Sequence, residues 1–389
     1  MVIPEFVPSM GKPPLYIAKR LIKNGHEVTI LTSDMDLADR KIRYEVEELD
    51  GSKTIRMRGF TFGKVNNKKI IIPKIFFEFL SIIFRRKADV VYADGLGNPS
   101  CFFAALISKI GGVPIVLRAD WGGAPIIEKG LKGLYDRCVK LPTLRWSDKI
   151  LVFSKRQKEM MINYRIDDKK IEVVPNGVDC DTFFFARKSD YLHKRLNLEE
   201  NIKIIATVCR LTPGKNPEFA IRTLANVIKS YSDVVLVIVG YKGNLEYYDH
   251  LTSTIKELGL ENKAFFLLEI NHEDMPQIYS SADIFFLTSR PIEGMNLSSI
   301  EAMCAGLPII TTEVSVTPEI VEEAKCGYVI KSEDDAAEKI MCLLTHEEER
   351  KKLGENGRAY VKSNLSWEVL TPKVEELMLN LFSSRKSEI

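Results

Sequence analysis

Residues 288–318 read TSRPIEGMNLSSIEAMCAGLPIITTEVSVTP, and the reading of this stretch decides the fold. The apolar run from Asp283 to Thr288 predicts a strand. A short loop with Glu293 and Gly294 follows, and a helix is expected from near Leu297, carrying Glu301 and stopping at Gly306-Leu307-Pro308. Two acids therefore flank one helix N-terminus. Glu293 precedes the helix, where unpaired N–H groups and the positive end of the helix dipole favour a phosphate. Glu301 lies about four residues inside, displaced by roughly 6 Å at ~1.5 Å per residue. A ligand with hydroxyl-rich parts on both sides of a diphosphate suits this spacing, because a carboxylate accepts a pair of hydroxyl hydrogen bonds while the helix end serves the anion. A nucleotide sugar is such a ligand. On spacing alone, two glutamates near a helix start are equally explained by the dipole and by solvation.

Outward from this stretch, strand and helix signals alternate. Towards the C-terminus come a strand at Gly327–Ile330 and helices near 334–344, 347–362 and 366–382. Upstream lie a buried strand at 233–240, helices at 247–258 and 275–280, and a strand at 264–268. Further upstream, strand 202–208 runs into the loop RLTPGKNP, residues 210–217, and a helix from Glu218. Residues 187–201 are charged and without period, and read as a linker. The first half repeats the plan, with a helix around Leu15–Ile22 ending at Asn24-Gly25, a strand at 26–32, β-like runs around Asp50-Gly51, and strands near 89–92, 112–118 and 149–154. Met1-Val2-Ile3 is short for a first strand, so that strand is expected to be truncated or to begin upstream. The result is an α/β chain of two doubly wound parallel-sheet domains with a cleft between them, residues 1–183 and 200–365.

Composition agrees. With 389 residues and 45% hydrophobic content the chain can bury two cores. The net charge of +2 hides an asymmetry of about +10 up to Cys180 and about −8 beyond it. Seven cysteines without a C-x-x-C pair predict free thiols in a reducing cytoplasm, and five scattered histidines predict no metal site. No apolar run reaches the ~18 residues a membrane span needs. Residues 68–87, apolar with basic ends, read either as a core helix or as a segment lying in the headgroup region of a membrane, which would put the protein at the inner membrane face. No nucleic-acid motif appears.

The phrase E-G-x-x-L-x-x-x-E-A-M-x-x-G-x-P-I-I-x-T resembles the E-x7-E region of the retaining nucleotide-sugar glycosyltransferases of the GT-B fold, called group 1 or family 4. Three further features are similar to that family: the R-L-x-x-x-K phrase of Arg210 and Lys215, the P-N-G-V-D phrase of residues 175–179, and the closing segment 366–389, which in the family crosses back onto the first domain. The resemblance covers almost the whole chain, strongly from Val173 to Trp367. It implies a sugar transfer from a nucleoside-diphosphate donor to an acceptor hydroxyl of a glycan, lipid-linked or small-molecule acceptor, with no metal or other cofactor. Glu301 would hold the donor ribose and Glu293 the transferred sugar, with Gly294, Met295, Asn296 and Leu297 closing on sugar and phosphate. Arg210 and Lys215 would stabilise the departing diphosphate, because fixed cations aimed at developing negative charge lower the barrier.

Departures are specific. The family's first-loop glycine pair is reduced to Gly11, and the glycines usual near Thr317 are missing. Asn296 stands for a glycine, so its side chain is expected to alter sugar selection. Asp120-Trp121 replaces a histidine phrase; Asp120 either takes the acceptor proton or caps the following turn. Gly177 is expected to use positive φ in a tight turn. A nucleotide-sugar epimerase, a phosphorylase-like enzyme and a non-catalytic sugar-binding or partner subunit are the rival readings, and turnover separates the last from an enzyme.

Overall fold

The structure, a computed structural model, describes residues 1–3, 13–33, 46–49, 52–57, 59–65, 68–73, 88–119, 130–184, 188–241, 244–290, 294–313 and 316–387. The chain divides into two compact units, Met1–Asn176 with Trp367–Ile389, and Gly177–Ser366. The division thus falls within the P-N-G-V-D phrase, a few residues before the expected boundary at 183.

In the first unit, β1 (Thr29–Ser33), β2 (Val46–Leu49) and β3 (Ser52–Met57) lie in the order β1-β3-β2, with β3 parallel to β1 and antiparallel to β2. The two strands expected around Asp50-Gly51 pair with each other, Leu49 opposite Ser52. β4 (Gly59–Val65) and β5 (Lys68–Pro73) form an antiparallel ribbon. This corrects the reading of residues 68–87: their first part is a strand, since the β-branched run of Ile70, Ile71 and Ile72 favours extended backbone. Residues 74–87 lie outside the described residues. β6 (Val91–Asp94), β7 (Ile115–Arg118), β8 (Lys149–Val152) and β9 (Ile171–Val173) follow in order, all parallel. Residues 1–3 fill the strand position between β1 and β6. Val2 bridges both Leu31 and Ala93, donates to Tyr92 O at 2.7 Å, and is followed by Ile3 donating to Leu31 O at 2.9 Å.

The last helix, Trp367–Lys386, belongs to this unit. Trp367, Leu370, Val374 and Met378 share a core with Leu15, Ile17, Ala18 and Leu21 of the helix Pro13–Lys23, and Trp367 stacks on Tyr16 with ring centroids 5.1 Å apart. The P-N-G phrase ends the unit. Asn176 accepts from the buried guanidinium of Arg118, which also lies 5.0 Å from the Phe153 ring centroid. Gly177 does not use positive φ, and Val178 bridges Ser366 in parallel.

The second unit contains β10 (Lys203–Val208), β11 (Val234–Gly240), β12 (Ala264–Leu268), β13 (Ile284–Leu287), β14 (Ile309–Thr312) and β15 (Gly327–Ile330), all parallel, in the order β12-β11-β10-β13-β14-β15. The order reverses between β10 and β13. Such a reversal opens a crevice at the carboxyl ends of the two strands, the position where ligands bind in doubly wound sheets. β11 is buried on both faces along its length, which is why it reads as an unbroken apolar run. The expected linker 187–201 instead contains the helix Tyr191–Leu196, whose Leu192 is fully buried. Its backbone is fastened to this unit by Leu192 N donating to Ser281 Oγ at 3.3 Å. One apolar residue per turn is too little period to be read as a helix. Among the described residues no helix is long and apolar enough to cross a membrane.

Candidate donor site at the sheet reversal

The two phrases singled out in the second half leave the carboxyl ends of the two strands that flank the reversal. After β10 comes the loop with Arg210 and Lys215; after β13 comes the loop that enters the helix Leu297–Cys304. Backbone and side-chain bonds hold the loops together. Arg290 N donates to Gly214 O at 2.8 Å, Thr288 Oγ1 to Lys215 O at 3.1 Å, and Ser298 Oγ to Val208 O at 3.0 Å. The first turn of the helix is thereby fixed against the end of β10. Within its own loop, Lys215 N donates to Thr212 O at 3.0 Å and Thr212 N to Arg210 O at 2.9 Å, a compact turn that sets where both cations leave the backbone. The Arg210 side chain is exposed and that of Lys215 half-buried.

The helix begins where Asn296 caps it. Its Oδ1 accepts from Ser299 N at 3.3 Å and lies 2.5 Å from Ser298 Oγ, and the residue is buried. Asparagine is a preferred cap, and here its oxygen is engaged with the first turn of its own helix. Met295 is also buried, while Gly294 and Leu297 are half-buried. Gly11, Asp120 and Glu293 lie outside the described residues.

Glu301 sits in the second turn and accepts from Tyr279 Oη at 2.7 Å. Burial pushes its carboxyl above the ordinary range, while the Tyr279 hydrogen bond and the charge of His272 pull the other way. Tyr279 is itself fully buried, with its hydroxyl pushed well up by burial and then by Glu301. Phe183, at the end of the helix Cys180–Phe183, packs edge-on against Tyr279 with centroids 5.8 Å apart and against His272 at 6.0 Å. An aromatic wedge thus fixes the hydroxyl that orients the carboxylate. Tyr279, Ser298 and Thr288 were not singled out from sequence, because their roles depend on partners 22, 90 and 73 residues away.

Behind the site, Asp283 accepts from Ile204 N at 2.8 Å and from Lys188 Nζ at 2.6 Å, tying the start of β13 to β10. The helix Leu297–Cys304 stops at Gly306, whose φ is +83°. Arg358 reinforces that stop by donating to Cys304 O at 3.1 Å and Ala305 O at 2.7 Å, satisfying carbonyls the helix end leaves open.

Comparisons with known proteins place these elements in context. The family model described as "Glycosyl transferases group 1" matches residues 188–360, and that described as "Glycosyltransferase Family 4" matches residues 15–182. Spore coat protein SA of Bacillus subtilis is 31% identical over 233 residues, which span 56% of this chain and 59% of that protein, less than two thirds of its length. The UDP-Gal:alpha-D-GlcNAc-diphosphoundecaprenol alpha-1,3-galactosyltransferase of Escherichia coli is 26% identical over 307 residues, 76% of each chain. Among solved structures, Anabaena HepE in complex with UDP-glucose has a TM-score of 0.76 at 19% identity, covering 97% of this chain and 98% of that one. At that identity the likeness is one of fold.

Proposed function

The chain belongs to the group 1 glycosyltransferases, with the GT-B fold of two Rossmann-like domains, and we propose that it moves a sugar, with retention of configuration, from a nucleoside diphosphate to a hydroxyl of a lipid-linked glycan precursor. One observation carries the donor half of this reading. The Arg210–Lys215 loop and the helix bearing Glu301 are bonded to each other at the reversal of a parallel sheet, where a diphosphate and its ribose find cations, a helix start and an oriented carboxylate together.

In this proposal Glu301 accepts the ribose hydroxyls, and Arg210 and Lys215 face the diphosphate. Glu293 meets the transferred sugar, and the backbone of 294–297 closes over sugar and phosphate. As the bond from the anomeric carbon to the phosphate oxygen breaks, the two cations neutralise the charge that collects on the departing group. The acceptor oxygen then bonds to the anomeric carbon and its proton passes to the departing phosphate. Asp120 orients the acceptor hydroxyl. No metal is invoked, because the fixed cations supply the charge a metal would.

The acceptor is assigned to a lipid diphosphate class on two grounds: the charge of about +10 up to Cys180, and the lipid diphosphate named for the E. coli relative. Residues 68–87 would lie near the inner membrane face. The test is a transfer assay in which a panel of UDP- and GDP-sugars is offered with polyprenyl-diphosphate-linked sugars and with free sugars, and the product anomer is read by NMR. A retained anomer on the lipid-linked acceptor is expected. An inverted anomer would overturn the mechanism, and transfer confined to free sugars would overturn the acceptor class.

A further inference from the structure

Two helices meet at His346: Glu333–Thr345 ends there and Glu347–Asn364 begins. Around this corner Cys342, His346 and Glu349 bring one donor atom each to within 4.8 Å of one another. Cys342 Sγ stands 3.4 Å from Glu349 Oε2. For a tetrahedral zinc ion, with bonds of about 2.3 Å to sulfur and about 2.0–2.1 Å to nitrogen or oxygen, ligand atoms lie about 3.3–3.6 Å apart. The thiol and the carboxylate already stand at such an edge, and the imidazole, 3.9 Å from the sulfur, has to move in to complete a face.

The surroundings fit as well. Tyr328, on β15, donates its hydroxyl to Glu349 Oε1, which orients the carboxylate so that its other oxygen faces the thiol. His346 Nδ1 faces the thiol at 3.9 Å from Cys342 Sγ, and contacts to Cys342 O at 3.0 Å and Thr345 Oγ1 at 3.1 Å hold the ring at this corner. The Cys342 thiol donates to Glu349 Oε2, so the two donor groups are already held side by side. Scanning for paired histidines misses the group, since it uses one histidine with a thiol and a carboxylate.

We infer that Cys342, His346 and Glu349 form a binding site for a divalent ion of the zinc type, which fastens the corner of the two helices to β15. A thiolate among the donors disfavours magnesium and calcium and favours zinc or cobalt. The site is structural: it lies outside the elements that carry Arg210, Lys215 and Glu301, and it does not rest on the glycosyltransferase reading. The ion replaces the thiol proton, so affinity rises with pH.

The test is titration of the chelator-stripped full chain with Co²⁺, in a Cys138→Ser background that removes the one fully exposed thiol among the described residues. One equivalent is expected to bind, with a thiolate-to-cobalt charge-transfer band in the near ultraviolet and the intense visible bands of a tetrahedral ion. Zn²⁺ should displace it and raise the melting temperature by several degrees. Cys342→Ser should abolish the band, and His346→Gln should weaken binding tenfold or more. Melting temperatures of both variants without metal should match that of the parent, showing that they fold. Absence of the band, its survival in Cys342→Ser, or binding of several weak equivalents alone would overturn the site.

Discussion

Glu301 is the residue on which the donor assignment turns, and its environment makes a pH prediction. In the proposed role the Glu301 carboxylate would accept the ribose hydroxyls, and burial has raised its pKa, with Tyr279 and His272 opposing. As pH falls, Glu301 protonates earlier than an ordinary glutamate, so nucleotide affinity should decline from a higher pH than usual. Tyr279→Phe removes the hydrogen bond that stabilises the charged form, at 2.7 Å. The decline should therefore move to still higher pH, with affinity at neutral pH about 2- to 10-fold lower, from ~0.5–1.5 kcal/mol for one hydrogen bond. Binding isotherms across pH for the two proteins check this; superimposable profiles would sever Tyr279 from the site. The positions of Arg210, Lys215 and Glu301 were legible because their phrases follow directly on the apolar runs of β10 and β13. Tyr279 was not, since nothing in its own helix Met275–Ser281 marks it until the sheet sets that helix beside Glu301. The cap made by Asn296 was not read from sequence, because its place in the phrase hid its fitness as a helix cap.

At the scale of elements, the helix carrying Glu301 is held from behind by the helix Glu347–Asn364. The two approach closely enough that a Cβ at Gly354 would lie 1.9 Å from Gly306 O, a backbone atom that cannot swing aside. Gly354→Ala should force the helices apart and lower stability by about 1–3 kcal/mol. Urea unfolding would show this as a lower midpoint, and an unchanged midpoint would mean the contact is looser than described. Of the second-half strands, β10, β11 and β13 were legible almost to the residue because buried parallel strands leave continuous apolar runs, while β14 (Ile309–Thr312), only four residues long, was not read as a strand. The first half was harder. Val2 alone in bridge geometry and the ribbon of β4 and β5 carry short or mixed patterns, in which tertiary pairing overrides local period, as does the six-residue helix Tyr191–Leu196 of the second unit.

Across the whole molecule, the return of the last helix to the first unit was implied by family resemblance and by nothing in its own pattern. Its polar anchor is Glu375, whose side chain is 11% exposed and accepts from Asn24 Nδ2 at 2.7 and 2.8 Å and faces His26 Nε2 at 2.9 Å. Burial alone would raise this carboxyl, but the hydrogen bonds of Asn24 and His26 and the charges of His26 and Arg20 outweigh it and hold it below the ordinary range. A lowered folded pKa means stability that is present above the unfolded value and lost as pH falls through the folded one. Glu375→Gln should therefore cost about 1–2 kcal/mol at neutral pH, less than a fully buried pair because water still reaches the group. It should also flatten the fall in melting temperature on acidification. Equal acid sensitivity in variant and parent would contradict this anchor.

The central claim is that Glu301 and the Arg210–Lys215 loop form one nucleoside-diphosphate site. Isothermal titration of the full chain with UDP, GDP, ADP, dTDP and CMP, beside Glu301→Gln and Lys215→Ala, tests it most directly. A diphosphate should bind with a preference for one base, weakened about tenfold or more in each variant, since a charge-assisted hydrogen bond is worth ~1.5–3 kcal/mol. Diphosphate binding that both variants leave unchanged would contradict it.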